Sequence, residues 1–305
     1  MIARRANRSL LVIGSVALCI SWPASAIALF QARAVGLAIS LFGLGLSLGP
    51  CLAGYALARD PHKQTWRRLV LAAGGLAILA FALVDAINLD LAGFFELLIL
   101  GTMGAAVGHT MVTTIIGPMV FGRLLCGWGC WRAMVLELLP VGRGAGRRSG
   151  VWAWTPLVGL AASIGAAALC ARVLHFRPGG IPGHMRGDSV TPVAVGVAVY
   201  YVAALALAFA LRDQRAFCKY LCPSGLVLRW TSRRALLRVV ARAELCTDCG
   251  ACSAECPMDI AVAERVRAGA PIGAGDCILC QHCVTACPGG ALTTTLRLRR
   301  SPRAH

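Results

Sequence analysis

Eight cysteines in the C-terminal part of the chain fall into two copies of one spacing, C-x₂-C-x₂-C-x₃-C-P. The copies span residues 246–257 and 277–288. A cubane iron–sulfur cluster needs one thiolate at each of its four corners, and two-residue gaps let a short loop wrap three of them. The spacing therefore predicts two [4Fe–4S] clusters.

The fourth cysteine of each run lies too far along the chain to close its own cluster. In two-cluster bacterial ferredoxins it binds the other cluster, and Pro257 and Pro288 would turn the chain after these crossing residues. A zinc site or a disulfide scaffold is the alternative, but zinc sites usually show two C-x₂-C pairs without a third cysteine at the same interval. We therefore predict the following ligand sets: Cys246, Cys249, Cys252 and Cys287 for one cluster, and Cys277, Cys280, Cys283 and Cys256 for the other.

Two further cysteine pairs share a C-x₃-C spacing, Cys126 with Cys130 and Cys218 with Cys222. If each pair lies on a helix, residues i and i+4 face the same way, and the two pairs together offer four sulfurs. Basic residues flank both pairs: Arg123 and Arg132 the first, Arg215 and Lys219 the second. Nearby cations favour thiolates, so the pairs form either a further metal site or a redox-active dithiol. Unrelated buried cysteines are the alternative.

The elements that hold these cysteines are those of a membrane protein. Hydrophobic residues make up 58% of the 305 residues and charged residues 14%, and several apolar runs reach the ~20 residues that a bilayer-spanning helix requires. We predict a membrane α-helical bundle of about six transmembrane helices, followed by a ferredoxin domain of the α+β type. The predicted spans are residues 10–30, 34–58, 69–88, 92–116, 151–173 and 191–211.

The net charge of +17 comes from arginines that cluster in short loops between the apolar runs, notably 59–68 and 143–148. Such clustering indicates loops on the cytoplasmic side rather than a nucleic-acid surface, and no DNA-binding motif accompanies it. Cluster-binding cysteines favour a reducing compartment. We therefore expect a multi-pass protein of a bacterial inner membrane with its ferredoxin domain in the cytoplasm. The first run is either a signal peptide ending at Ala24-Ser25-Ala26 or, as we favour, an uncleaved anchor.

The predicted domain organisation has four parts. Residues 1–222 form the transmembrane domain, with the C-x₃-C pairs at its cytoplasmic face. Residues 223–240 form a basic amphipathic linker that lies either on the anionic inner leaflet or in solvent. Residues 241–295 form the two-cluster ferredoxin domain, and residues 296–305 form a basic tail.

Other cofactors have little support. Only His109 lies within a predicted span, so paired-histidine haem ligation is disfavoured; His109 is either a satisfied polar group or part of a quinone site. The chain has no G-x-G-x-x-G opening a βαβ unit, no phosphate-binding loop and no Ser-His-Asp or zinc-protease pattern.

The sequence FGRLLCGWGC at 121–130, CKYLCP at 218–223 and the two ferredoxin runs together resemble the NapH/NosR/MauN group of membrane ferredoxin-type proteins. The copper-handling assembly protein CcoG is similar. The resemblance covers roughly residues 118–295, although Trp131 stands where the family usually has proline. It implies cytoplasmic clusters and electron flow linked to the quinone pool or to maturation of a periplasmic metalloenzyme.

The sequence thus predicts an electron carrier or accessory redox subunit rather than a stand-alone enzyme. Its expected partners are membrane lipid, redox proteins and quinone, with no nucleic acid. The alternative is a metal-handling or maturation factor that binds or reduces copper at the C-x₃-C pairs, and a third hypothesis is a redox sensor.

Overall fold

The computed structural model describes residues 2–30, 35–142, 146–179, 187–272 and 275–296, and these are mostly helical. The predicted basic tail, except for Leu296, and the arginines Arg143 and Arg186 lie outside these residues. The described part divides into a bundle of long apolar helices and a small C-terminal unit with two strands.

Within the described ranges, five helices are long and apolar enough to cross a membrane: Ser9–Phe30, Val35–Leu57, Asp60–Val84, Thr155–Val173 and Thr191–Leu211. They correspond to five of the six predicted spans. The last two begin with Pro156 and Pro192 in the first turn, where proline costs no hydrogen bond because that N–H has no partner within the helix.

The helix that begins at Asp60 corrects the prediction for residues 59–68. Nearly all of this basic segment forms the first turns of the helix Asp60–Val84, with Pro61 in the first turn and Lys63 paired to Asp60 at 2.6 Å. An early proline and an i,i+3 ion pair are both compatible with helix. As a result Arg67 projects from the helix and is fully buried.

The predicted fourth span, residues 92–116, is wrong as one continuous helix. The chain forms the helix Leu91–Ile99, leaves helical geometry, and resumes as an apolar helix over Val107–Phe121. Gly101 adopts a left-handed φ of 66° at the break, a conformation that glycine tolerates better than other residues. The described residues thus contain five long apolar helices and one shorter apolar helix, Val107–Phe121, where about six transmembrane helices are predicted.

Two backbone hydrogen bonds join the loop that follows the helix Asp60–Val84 to the loop that follows the helix Thr155–Val173. The Gly179 N–H donates to the Ala86 carbonyl at 3.2 Å, and the Gly187 N–H donates to the Asp85 carbonyl at 2.9 Å. The short helices around the first C-x₃-C pair pack against the helix Asp60–Val84, where Gly74 and Gly75 lie close to Gly129, Cys130 and Trp131.

Strands β1 (Leu237–Ala241) and β2 (Leu292–Leu296) pair antiparallel in the C-terminal unit, with Leu237 opposite Leu296. The short helices Ala251–Ala254, Val262–Arg267 and His282–Thr285 lie between them in sequence. Their shared core is apolar: Val239, Met258, Ile260, Val262, Ile278 and Leu292 are buried. Strand β1 begins inside the predicted linker 223–240, so that segment is a helix (Pro223–Thr231) followed by part of the ferredoxin sheet.

Candidate functional site

The second predicted cluster site is gathered around one cavity. Cys277, Cys280 and Cys283 line it together with Cys256, which comes from the first cysteine run. A cavity lined by thiols from both runs is what the crossing arrangement requires. These four residues therefore fit a cubane cluster.

Backbone amides point at the crossing cysteines in the same way in both runs. The Ile260 N–H donates to the Cys256 sulfur at 3.4 Å, and the Ala291 N–H donates to the Cys287 sulfur at 3.3 Å. Each donor lies four residues after its cysteine, past the Cys-Pro turn. Such N–H···S contacts stabilise thiolate charge and tune iron–sulfur sites.

The loops around the second cysteine of each run share a strained backbone. Asp248 and Gly250 flank Cys249 with φ values of 53° and 72°, while Leu279 and Gln281 flank Cys280 with 54° and 65°. Left-handed φ is uncommon for residues other than glycine and concentrates at functional sites. The repeated conformation is what wraps each loop around a common centre.

The first predicted site is more open. Cys249 is exposed, and hydrogen bonds from the Ala251 backbone and the Thr247 side chain lower the pKa of its thiol. Cys252 and Cys287, from different runs, lie close enough to interact electrostatically. In the second site, burial raises the pKa of Cys277 to about 12.

No three Cys, His, Asp or Glu side chains of the described residues converge closely enough to hold a single metal ion. The four thiolates of a cubane bind four different iron atoms, so they stand farther apart than the ligands of one ion. The spread of the ferredoxin cysteines is therefore compatible with a cluster.

The C-x₃-C pairs are not arranged as i,i+4 neighbours on one helix, and that prediction is wrong. Cys126 lies in the helix Leu124–Trp128, which ends at Gly129, and Cys130 is the extended residue before the helix Trp131–Leu136. The second pair repeats the design: Cys218 lies in Ala216–Tyr220 and Cys222 precedes Pro223–Thr231. Proline disfavours helical geometry in the residue before it, which explains the break at Cys222.

The two pairs nevertheless lie near each other. Cys218 lies within electrostatic range of Cys222, Cys130 and Cys126, and burial raises the pKa of its thiol even though Arg215 opposes the shift. We call these four residues the cysteine quartet. They come from segments about ninety residues apart in sequence and from repeated helix–break–helix units.

Three buried arginines surround the cysteine quartet. Arg132 Nη1 lies 3.8 Å from the Cys222 sulfur, Arg123 contacts Cys126 and Arg215 contacts Cys218. The Nε atom of each arginine is buried and has no hydrogen-bond partner within the described part of the chain. Buried donors are normally satisfied, so these orphaned groups fit an additional anionic centre held by the quartet.

Glu137 ties this region to the second ferredoxin site. Its carboxylate accepts hydrogen bonds from Arg67 and Arg215 and lies 3.7 Å from His282 Nε2. Burial alone would raise the pKa of Glu137, but Arg215, His282 and Arg67 hold it well below its usual range. Arg67 also donates to the Gly127 carbonyl at 2.8 Å, and Arg215 donates to the Cys126 carbonyl at 3.3 Å.

The ferredoxin unit is docked on the bundle by further contacts that the sequence analysis missed. Buried Lys219 pairs with Asp213 and with Asp259, at 2.7 and 2.6 Å. Asp276, which precedes Cys277, lies 3.0 Å from both Arg147 and Arg229. The available signal was the position of Asp259 and Asp276 beside cysteines of the two ferredoxin runs, in a chain that has only 13 acidic residues.

A second group of buried ionisable residues lies on the other side of the quartet. Arg132 Nη2 is 3.1 Å from Asp90 Oδ2, and the guanidinium stacks on the rings of Trp131 and Tyr200. His109 lies within electrostatic range of both charges. Glu96 is 1% exposed, and its Oε1 has no hydrogen-bond partner among the described residues.

Comparison with known proteins identifies the two cysteine-bearing regions as iron–sulfur domains. A family model described as a 4Fe-4S dicluster domain matches residues 238–288. A second model, described as a 4Fe-4S binding domain, matches twice, over residues 104–147 and 195–240. Each of these two matches contains one C-x₃-C pair. No solved structure matches the chain.

Three relatives show the extent of the similarity. The methylamine utilization ferredoxin-type protein MauN of Methylorubrum extorquens is 30% identical over 217 residues, which are 64% of this chain and 69% of MauN. YccM of Escherichia coli, named for electron transport, is 31% identical over 110 residues, 36% of this chain and 28% of YccM. The uncharacterized protein MJ0749 of Methanocaldococcus jannaschii is 23% identical over 211 residues, 69% of this chain and 80% of that protein.

The resemblance expected from the motifs is thereby confirmed, because the matched regions contain the same cysteine runs that carried it. This chain is an iron–sulfur electron-transfer protein, and it belongs to the family of ferredoxin-type proteins that includes MauN.

Proposed function

We propose that the protein is anchored in the inner membrane and passes electrons between the quinone pool, or a cytoplasmic donor, and a redox partner protein. Its service to a periplasmic metalloenzyme is part of this proposal, supported by the name of its relative MauN. The observation that carries the proposal is that the four cysteines of the quartet lie near one another and that their segment touches the second cysteine loop of the ferredoxin unit.

The eight ferredoxin cysteines act as thiolate ligands of two [4Fe–4S] clusters in this proposal, with Cys256 and Cys287 crossing between the runs. The clusters supply one-electron transfer when bound. The protein contributes the N–H donors at Ile260 and Ala291 and a burial that keeps water from the second site. Hydrogen bonds and solvent exclusion are the means by which a protein sets the potential of such a site.

The cysteine quartet holds a further redox centre. Three arginines with orphaned Nε atoms supply positive charge around four thiols, and both C-x₃-C pairs lie in regions matched by a 4Fe-4S binding domain. The thiols do not converge on one point, so a multi-iron cluster suits their spread better than a single copper ion. Copper handling at this site is the competing outcome that a metal analysis would reveal.

A quinone site beside the quartet is supported by the buried group of Asp90, Arg132, His109 and Glu96. Oxidation of a quinol releases protons as well as electrons, so a site needs acid–base groups next to an electron acceptor. Ionisable residues are rare within apolar helical regions and usually functional. Arg132 contacts both the quartet and Asp90, which places the two kinds of group side by side.

The decisive experiment is anaerobic purification of the full chain, followed by iron and sulfide analysis and EPR. Two clusters require about eight iron atoms per chain and a third requires about twelve. Zinc or copper without acid-labile sulfide would contradict the proposal. The quadruple change of Cys126, Cys130, Cys218 and Cys222 to Ser should remove only the extra iron and stop reduction of the ferredoxin clusters by a quinol analogue. The triple change of Cys19, Cys51 and Cys170 to Ser is the matched control.

Two further tests address the membrane aspects. A reporter enzyme that works only in the cytoplasm should be active when it is fused after residue 295, and a reporter that works only in the periplasm should be inactive at the same position. The opposite result would reverse the proposed orientation.

Glu96→Gln should slow reduction by a quinol analogue without loss of iron, whereas exposed Glu244→Gln should have no effect.

A further inference from the structure

The two cysteine-bearing regions approach each other through their backbones at one point. Gly127, which follows Cys126, lies against Ile278, which follows Cys277. A Cβ atom added to Gly127 would stand 2.3 Å from the Ile278 carbonyl oxygen and 3.5 Å from the Cys280 nitrogen. Real Cβ atoms do not occur at the shorter of these distances, so glycine is required for this approach.

The neighbouring residue fixes the same contact by a hydrogen bond. The Trp128 indole N–H donates to the Leu279 carbonyl at 2.8 Å, and Leu279 is one of the left-handed residues of the second cysteine loop. The Trp128 ring packs edge-on against Tyr55 at 4.9 Å, which restrains the indole. Gly127 and Trp128 thus hold the loop of the second site against the segment of the cysteine quartet.

An arginine spans the same junction. Arg215 contacts Cys218 of the quartet and lies within electrostatic range of Cys280 of the ferredoxin unit. At the first site, by contrast, the second cysteine, Cys249, is exposed. The second site is therefore the one that faces the bundle, and the first is the one that faces outward.

We propose that Gly127 and Trp128 are positioning residues that set the distance between the cysteine quartet and the second ferredoxin cluster, and that electrons cross between bundle and ferredoxin unit only at this junction. The order of centres is then quartet, second site, first site. Each step oxidises one centre by one electron and reduces the next by one. The inference rests on the proposed function, since it assumes a redox centre at the quartet.

The test uses the full-length protein, purified anaerobically, with Gly127→Ala as the main variant. Gly165→Ala is the control, because a Cβ added to Gly165, also in a helix, meets nothing within 4 Å. Two readouts are needed: the magnetic coupling between the quartet centre and the second cluster by EPR, and hydrogen exchange of the peptide around residues 276–282. Transfer between the centres depends steeply on their separation, so their coupling is the direct measure.

We expect Gly127→Ala to retain its iron, to lose several-fold in coupling and to exchange the 276–282 amides several-fold faster, while Gly165→Ala matches the wild type. If Gly127→Ala loses the second cluster, Trp128→Phe decides, because it keeps an aromatic ring beside Tyr55 but removes the indole N–H that donates to Leu279; it should weaken the coupling and raise exchange to a smaller extent. Unchanged coupling in Gly127→Ala, or in Trp128→Phe where Gly127→Ala loses the second cluster, would overturn the proposal.

The outcome also separates this inference from the proposed function. A wild-type protein without any centre at the quartet has no coupling to lose, and that result contradicts the proposed function. In that case faster hydrogen exchange in Gly127→Ala would still support the junction as a structural contact. Coupling that is present in the wild type and unaffected by both variants contradicts the junction alone.

Discussion

The two halves of the ferredoxin unit have the same cysteine spacing. They also share a left-handed backbone at the residues on both sides of the second cysteine and an N–H···S contact to the fourth cysteine. Their surroundings differ. Cys249 of the first half is exposed, whereas Cys280 of the second is buried beneath Arg67 and Arg215. Equal local geometry therefore does not give equal surroundings, because the environment of each site comes from the rest of the fold.

The electrostatic contrast follows from burial. Backbone and side-chain hydrogen bonds lower the pKa of the exposed Cys249 thiol, while desolvation raises the pKa of the half-buried Cys277 thiol to about 12. A buried thiol becomes a thiolate only when a metal or a cation compensates its charge. The buried half therefore depends on the arginines of the bundle, and the exposed half does not.

The largest expected effect tests the crossing of the cysteines between the halves. Cys256→Ser should abolish the EPR signal of the buried cluster although Cys256 belongs to the first run, and Cys287→Ser should abolish that of the exposed cluster. A serine hydroxyl is a much weaker iron ligand than a thiolate. If each substitution removed the cluster of its own run instead, the assigned ligand sets would be wrong.

Glu137→Gln should act on the buried half alone. The substitution leaves Arg67 and Arg215 buried with a neutral partner, and breaking a buried pair in this way costs about 3–5 kcal/mol. We expect a lower unfolding temperature in detergent and preferential loss of the buried cluster by EPR. Glu244→Gln, at an exposed position near the first site, is the control, and equal loss of both clusters in Glu137→Gln would remove the distinction between the halves.

The exposed cluster should be destroyed faster than the buried one by an iron chelator or by air. Solvent access differs at Cys249 and Cys280, and access of water and oxidant governs the stability of such sites. The measurement is the decay of the two EPR signals in one sample, with an expected several-fold difference in rate. Identical decay would mean that burial in the bundle gives no protection.

The smallest expected effect is on the free energy of unfolding, when an exposed ion pair of the ferredoxin unit is compared with a buried one. Asp248 pairs with Arg267 at 3.0 Å, but both side chains are more than half exposed. Asp248→Asn should therefore change the free energy of unfolding by only about 0–1 kcal/mol. Asp259→Asn, next to buried Lys219, should cost clearly more in the same denaturation experiment, and the reverse order would contradict the docking contact.

Several elements could be predicted from sequence because their signals are local. Apolar runs of sufficient length gave five long helices close to the expected bounds. The prediction of a loop at 59–68 is wrong because it relies on clustered positive charge. The proline at the start of the segment and the i,i+3 ion pair between Asp60 and Lys63 are both compatible with a helix. The fourth span failed because hydropathy alone does not register a break at Gly101, where the backbone turns left-handed.

The C-x₃-C pairs show a different limit. Their spacing and flanking cations were visible, but the helix assumed for each pair ends at Gly129 or just before Cys222. That the pairs meet depends on packing of segments from distant parts of the chain. The arginine–glutamate network under the second site was not foreseen, because Arg67, Glu137 and Arg215 are ordinary charged residues until the fold buries them together.

The sequence by itself determined the chemistry of this protein: thiolates at ferredoxin spacing, two repeated pairs and apolar runs long enough for a membrane. These depend on residue type and on short-range spacing, which the chain specifies directly. Only the tertiary structure decided which ferredoxin half faces the bundle, which arginines surround the quartet and where the two regions touch. Those features arise from side chains that are remote in sequence and become neighbours only when the apolar helices pack, so no local pattern could have contained them.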